Sequence, residues 1–542
     1  MNSTPNPSDS RVDGQEKAES NGREKELIKN RLGEFTERYA LQNETVETKY
    51  GRELISEART VDGVDGKFAS PKLRKRIEFA QINHEQPIWL GIDANSKRDV
   101  GIPRERFFQH TLILGSTGYG KSVLLNNIHL QLILSQTGAA IIDGKGNNTP
   151  HLLQRVPKHR LDDVVYLDVG GFKGYASGFN YLDTGLSPTD PAYDTLIRSI
   201  MTNLLMLLDV DDQIEDRFEN ILVELVDAMI RVNINLTLAD LYTLLDRMDF
   251  STASDRDQTQ ERIDETNSSP GDPEFVFGDI SNRFIECLIE TNTEVVDALN
   301  HLSTVPVDQL KRFHEALGSL LHKKQLRRLI NQRNSDLKIS DAVADGKVIV
   351  FRLTGSTEER KLLGTAFLRR LWSVLRSRSE MPKDQRDPFF VSIDEGQNVV
   401  RDSLTVSEML REARGYNVGF LFATQNLAGI DSETTTQLYS NSESILAFGQ
   451  GGTEKVEEVA TQLDVDPQTL INESKFHVWM RIDRPEKGQR TEPIRVYTIP
   501  PSPPLRSREA GDEVLEEKIK KYGMPTDDMS AYAAISEISM FD

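Results

Sequence analysis

Cysteine is almost absent. The single thiol among 542 residues, Cys287, excludes an intramolecular disulfide framework and any cysteine-based zinc site, which points to a reducing interior. Cys287 itself reads as a small buried apolar residue. Long hydrophobic runs are missing too. The longest uncharged stretch, Ser122 to Ile142, carries Asn126, Asn127, His129, Gln131, Ser135 and Gln136, which suits a buried helix and strand rather than a membrane span. Met1 to Lys29 has no apolar middle region of the signal-peptide kind. A cytoplasmic chain with no direct membrane span, recruited to a membrane only through a partner, is therefore expected. Positive charge is in short supply: 65 Lys and Arg face 85 Asp and Glu, a formal net charge of −20. A broad basic surface that binds nucleic acid by charge alone is excluded, and any such contact must be local, such as a pore. The nine histidines show no metal-ligand spacing.

Against these absences stands one dense motif. Gly115-Ser116-Thr117-Gly118-Tyr119-Gly120-Lys121-Ser122 satisfies G-x-x-x-x-G-K-[ST] directly after the apolar run Thr111-Leu112-Ile113-Leu114. Glycines let backbone N–H groups turn inward around a triphosphate, Lys121 reaches the β and γ phosphates, and the Ser122 hydroxyl can ligate Mg²⁺. The eight residues are the expected nucleotide cradle, with ATP and Mg²⁺ as its cofactors. No Asn-Lys-x-Asp guanine-reading motif is found, so ATP is favoured over GTP.

Residues 1–24, rich in Ser, Asn, Asp, Glu and Gly, read as a disordered tail. Residues 25–85 read as a helical N-terminal region. Pro87 to Asp93 and Val100 to Pro103 suggest a hairpin, and short apolar strands alternating with helices follow. This predicts an α/β fold: a P-loop nucleotide-binding domain with a mainly parallel sheet covered on both faces. Its first part is placed at 86–192. Strands then stop, and 193–336 reads as an all-α insertion with a polar loop over Asp249 to Asp279. Strands resume at Lys347, so 337–500 completes the nucleotide domain. Past Pro500-Pro501-Ser502-Pro503-Pro504, residues 501–542 read as a weakly helical, mobile tail.

Hydrolysis needs a metal carboxylate and a group that activates water, both at a strand end near the phosphate loop. Phe389-Phe390-Val391-Ser392-Ile393-Asp394-Glu395 supplies them: Asp394 for the Mg²⁺ shell, Glu395 to orient the attacking water and take its proton. The next strand ends Ala423-Thr424-Gln425-Asn426, where Gln425 can sense the γ phosphate or cap the following helix. Arg411 and Arg414 precede that strand. Each is a candidate for an arginine presented to a neighbouring subunit's phosphates, or an exposed helix arginine.

These landmarks, in their order, resemble the HerA/FtsK superfamily of ring-forming DNA pumps, and within it the coupling-protein ATPases of type IV secretion and conjugation. The loop from His110 to Ser122, Asp143-Gly144-Lys145-Gly146, Gly178-Phe179-Asn180-Tyr181-Leu182-Asp183, Ile393-Asp394-Glu395-Gly396-Gln397, Ala413-Arg414-Gly415 and Ala423-Thr424-Gln425-Asn426 carry the likeness, over roughly residues 86 to 500. The resemblance implies a RecA-like domain with an inserted all-α domain, a hexameric homo-oligomer, and DNA as cargo. It further implies relaxosome, secretion or virion components as partners, an arginine-finger role for Arg414 and a sensor role for Gln425. Two motifs depart from the family pattern, in that Gly-Arg-Lys is here Ala-Arg-Gly and Asn-Pro-Leu is Asn-Tyr-Leu. The coupling proteins' N-terminal membrane helices are not expected in this chain, since no long apolar run is found in it. An excess of Arg (40) over Lys (25) within an acidic chain also resembles proteins of salt-loving archaea.

The expected activity is thus ATP hydrolysis driving DNA movement of the conjugative type, with viral genome packaging or HerA-type DNA processing as neighbouring settings. The rival from another class is an ATPase scaffold or a protein-assembly or export ATPase. In the motor reading Asp143 and Lys145 touch nucleotide or a subunit interface; otherwise they form a strand-end turn. The cluster His322-Lys323-Lys324-Gln325-Leu326-Arg327-Arg328 either tracks DNA phosphates or is a solvated helix face.

Overall fold

A computed structural model describes residues 87–526, apart from 97, 135–136, 157, 211–213, 232–236, 247–292, 334, 401–402, 426, 428–429, 451–455, 485–488, 500 and 502–503. The N-terminal 86 residues, the polar loop at 249–279, Cys287 and the end of the chain after 526 lie outside the described residues.

Fourteen strands are present among the described residues: β1 Ile88–Asp93, β2 Asp99–Ile102, β3 Thr111–Leu114, β4 Gly138–Asp143, β5 Val164–Asp168, β6 Tyr175–Ser177, β7 Val348–Arg352, β8 Phe389–Asp394, β9 Val418–Thr424, β10 Ser444–Phe448, β11 His477–Arg484, β12 Gln489–Arg490, β13 Ile494–Thr498 and β14 Gly523–Pro525. All but β6 and β14 form one sheet in the order β2-β1-β13-β11-β10-β3-β9-β8-β4-β7-β5, with β12 paired to β11. From β10 to β5 every pairing is parallel. These strands are apolar on both faces, as a sheet covered by helices on each side requires. The far end, β11 to β2, is antiparallel. It contains the hairpin expected at Pro87–Pro103, but β11 and β13 were not foreseen, although buried Val478 and Met480 alternate there with Trp479 and Arg481.

Between β6 and β7 the described chain is helical: Tyr193–Leu208, Asp216–Arg231, Leu238–Asp246, Thr293–Ser303, Val307–Leu321, Lys324–Ile330 and Ile339–Ala344. This block is bolted to the sheet by the long helix Thr357–Ser377, where Asn203 Nδ2 donates to Ser373 Oγ at 3.0 Å. Phe218 meets Phe313 edge-on inside the block. The stretch Leu310 to Asn331, which reads as one helix, is two. The chain leaves helical geometry at Lys323 (ψ 104°), so that Leu320 and Leu321 on one side and Leu326, Leu329 and Ile330 on the other all become buried. The basic cluster thus straddles a kink.

The C-terminal segment departs from the expected mobile tail. Ser507 caps a helix over Arg508–Tyr522 by accepting from the Ala510 N–H, and β14 pairs with β6 just beyond. The helix has little amphipathic signal because Lys518 lies on its buried side, reaching Asp162 at 3.4 Å. Leu515 and Ile519 pack into the same cluster as Leu152, Leu153, Val164 and Tyr166. Ile519→Ala should destabilise the protein by roughly 2–5 kcal/mol. A thermal melt showing a lowered midpoint, together with faster proteolysis at the C-terminal helix, checks this.

Candidate nucleotide-hydrolysing site

The parallel strands bring the sequence-predicted residues to one edge. The phosphate loop leaves the carboxyl end of β3, Gln425 follows β9, Asp394 and Glu395 end β8, and Asp143 ends β4. Register makes a row of them: Leu114 lies beside Thr424, Ala423 beside Asp394, Asp394 beside Asp143, and Asp143 beside Arg352. β9 stands between the strand of the phosphate loop and the strand of the acidic pair, which opens a gap in which a phosphate chain can lie between loop and carboxylates.

Loop geometry follows from its glycines. Gly118 (φ 87°) and Gly120 (φ 115°) occupy backbone conformations that side chains disfavour. The helix Lys121–Leu134 starts inside the motif, so its first N–H groups and positive dipole end face the loop. The Ser116 N–H donates to Gly449 O at 3.1 Å and the Phe476 N–H to Tyr119 O at 2.8 Å, holding the loop between β10 and β11.

Lys121, 4 % exposed, points its Nζ at Glu395 Oε1, 3.2 Å away. Lys145 Nζ sits 2.6 Å from that same oxygen. The other oxygen, Oε2, accepts from Gln397 Nε2 at 2.7 Å, and Gln397 Oε1 accepts from Thr424 Oγ1 at 2.5 Å. Burial pushes Glu395 up, but the Lys121 charge and the hydrogen bonds from Lys145 and Gln397 outweigh it and hold the carboxyl below its ordinary range. It is ionised at neutral pH. Burial lowers Lys121, offset in part by Asp394 and Glu395.

Asp394 behaves oppositely. Burial, with Asp143 and Glu395 nearby, raises it to about 6 against the pull of Lys121. Asn148 Nδ2 donates to Oδ2 at 2.5 Å, while Oδ1 is buried with no hydrogen-bond partner. A buried carboxylate oxygen left open next to a phosphate loop suits a cation, and the oxygen chemistry of Asp394 and Ser122 fits Mg²⁺. Among the described residues no group of three or more His, Cys, Asp and Glu is arranged around a metal.

Asp143 is structural in this arrangement. Its Oδ1 accepts from the Gly146 N–H, and its Oδ2 from the Asn148 and Thr149 N–H groups and the Thr149 hydroxyl, all at 2.8–2.9 Å. It thereby shapes the turn that delivers Lys145 and Asn148 to the acidic pair. Gly144 is required there, since a Cβ would fall 2.4 Å from Asp394 O. The sequence points to Lys145 without giving it a partner, and it gives no sign of the contacts that Asn148, Gln397 and Thr424 make here. Gln397 lies inside the Asp394-Glu395-Gly396-Gln397 stretch, but a contact between strand ends leaves no local pattern.

Arg414 is not at this edge. It lies in the turn Ala413–Tyr416 before β9, and the seven residues of that strand separate it from Gln425 by roughly 23 Å. Its side chain is 65 % exposed and 3.9 Å from Glu443, which Arg106 contacts at 2.9 Å. Arg386 donates to Gly415 O and steadies the turn. Arg411, on the preceding helix Ser403–Glu412, is exposed as well.

His110, just before β3, links this amino edge together. It adopts φ 61°, accepts the Phe420 N–H on Nδ1 at 3.1 Å, and donates from Nε2 to Leu410 O at 2.9 Å. Burial, with Arg414 nearby, lowers it to about 4 although the Leu410 bond opposes the shift. The unfolded chain therefore binds a proton that the native state does not between about pH 6.5 and 4. His110's contribution is complete above pH 6.5 and falls by about 3 kcal/mol as pH drops to 4. Asp394, raised to about 6, has the opposite sign over an overlapping range, so the comparison must be differential. His110→Gln should show a urea midpoint that declines less than wild type between pH 7 and 5; parallel declines would contradict the assignment.

No family model matches the chain, and no curated protein matches it. Among solved structures it is similar to the plasmid coupling protein TrwB in complex with a non-hydrolysable ATP analogue, at 15% identity over 80% of this chain and 94% of that one, with a TM-score of 0.49. It is similar to VirB4 of Thermoanaerobacter pseudethanolicus, at 16% identity over 77% and 97%, with a TM-score of 0.41. A smaller part resembles the genome packaging NTPase B204 from Sulfolobus turreted icosahedral virus 2 in complex with ATP-gammaS, at 14% identity over 30% and 73%, with a TM-score of 0.23.

Proposed function

We propose that this chain is an ATP-driven DNA translocase of the conjugative coupling-protein type, acting as a homo-oligomeric ring, with the hexamer as the expected size. The observation that carries the hydrolytic half is the convergence of Lys121, Asp394 and Glu395 at one sheet edge beside the phosphate loop. DNA as cargo is supported by the sequence resemblance in the motifs from His110 to Asn426.

In this reading Gly115 to Ser122 enclose the phosphates of ATP and Lys121 exchanges Glu395 for phosphate oxygens. Asp394 and Ser122 would hold Mg²⁺, which when bound neutralises charge on the phosphates. Glu395, ionised because Lys145 and Gln397 remain on it, orients the attacking water and accepts its proton. Gln425 follows the γ phosphate from the end of β9. Arg414 serves the site of the next subunit, since its own site lies a strand's length away. No described helix is long and apolar enough to cross a membrane.

Movement along DNA is tested by displacement of a triplex-forming oligonucleotide from duplex DNA. ATP-dependent displacement by wild type and none by Lys121→Ala is the expected result. Hydrolysis without displacement, from verified rings, would favour the protein-assembly or scaffold activity instead.

A further inference from the structure

We infer that Gln397 is a positioning residue that fixes the Glu395 carboxylate and ties it to the end of β9; the inference rests on the proposed water-orienting role of Glu395. The local backbone is built for this contact. Glu395 adopts left-handed geometry (φ 55°), and the turn Gly396–Asn398 is closed by the Asn398 N–H to Glu395 O at 2.7 Å. Gly396 has no substitute, because a Cβ would fall 2.0 Å from the Phe422 ring on β9. The turn therefore lies flat on β9 and brings Gln397 to Thr424.

Chemistry then fixes the orientation of the amide. An ionised carboxylate only accepts, so the Gln397 NH₂ must face Glu395 Oε2 (2.7 Å), leaving the carbonyl to accept the Thr424 hydroxyl (2.5 Å). Thr424 is fully buried and stands in register with Leu114, the residue from which the phosphate loop departs. With Oε2 held on this side, Oε1 is the oxygen turned toward Lys121 and Lys145. Phosphates that draw Lys121 away open a lone pair on Oε1 for water, while the plane of the carboxylate stays where Gln397 sets it. One hydrogen-bonded chain thereby connects the Glu395 rotamer to the residue preceding Gln425.

The test uses the full chain and ATP. Steady-state hydrolysis and binding of a fluorescent ATP analogue are measured for wild type, Gln397→Leu, Thr424→Val, Thr424→Ser, the Gln397→Leu/Thr424→Val double variant and Glu395→Gln, each checked by melting temperature. Gln397→Leu and Thr424→Val should each lower kcat by about ten- to a hundredfold, with KM and analogue affinity within about threefold. Thr424→Ser, which keeps the hydroxyl, should retain near-normal kcat, and the double variant should be no worse than the worse single one. Should Gln397→Leu fail to fold, the Thr424→Val and Thr424→Ser pair decides alone. Multiplying single effects, a change in KM rather than kcat, or Thr424→Ser behaving like Thr424→Val would overturn the inference. An inactive Glu395→Gln beside a normal Gln397→Leu would remove the role of Gln397 and leave the hydrolytic reading standing; a fully active Glu395→Gln would remove both.

Discussion

Glu395→Gln should lower ATP turnover at least a hundredfold while ATP remains bound, because it deletes the proton acceptor and keeps the shape that Gln397 grips. The site's electrostatics say that the variant survives. Losing one partner of a buried ion pair is costly because it strands the other charge, yet Lys121 retains Asp394 nearby as a counter-charge. The complementary change, Lys121→Ala, leaves Glu395 paired to Lys145 at 2.6 Å, so it too should fold, but with nucleotide affinity lost along with hydrolysis. Equilibrium binding of a fluorescent ATP analogue beside phosphate release separates the two. Weak binding by Glu395→Gln, or turnover within tenfold of wild type, would contradict the assigned role.

The second large effect is expected from Arg414. An arginine supplied to the transferred phosphoryl group contributes on the order of 10³ or more to turnover, and geometry forbids this arginine from supplying it to its own site across the length of β9. Arg414→Ala alone should therefore abolish most hydrolysis with the nucleotide affinity of a single subunit kept. Mixing Arg414→Ala with Lys121→Ala subunits should restore part of it, since some interfaces pair an intact phosphate loop with an intact arginine. No recovery in rings whose mixing is proven would remove the trans assignment. Arg411→Ala serves as the neighbouring control and should hydrolyse normally.

Much of this arrangement was legible in the sequence because it is local. A glycine loop after an apolar strand, and Asp-Glu after another, announce their chemistry within eight residues, and the parallel strands do the rest by delivering both to one edge. What was not legible is contact across strand ends. Nothing in the sequence says that Gln397 spans from Glu395 to Thr424, that Asn148 caps Asp394, or that Arg414 sits on the opposite edge from Gln425. Periodicity also failed where polar residues are buried: Lys518 obscured the helix at Arg508–Tyr522, and a backbone break at Lys323 divided what apolar spacing presents as one helix.

The most direct test of a DNA-driven ATPase is steady-state ATP hydrolysis in high potassium chloride, with and without single- and double-stranded DNA, by wild type, Lys121→Ala and Glu395→Gln. Hydrolysis that DNA stimulates and that both substitutions abolish is the expected result, the more effective strand form identifying the cargo. Hydrolysis that depends on Lys121 and Glu395 but is indifferent to DNA in assembled rings would contradict the motor assignment, and hydrolysis surviving both substitutions would contradict the site itself.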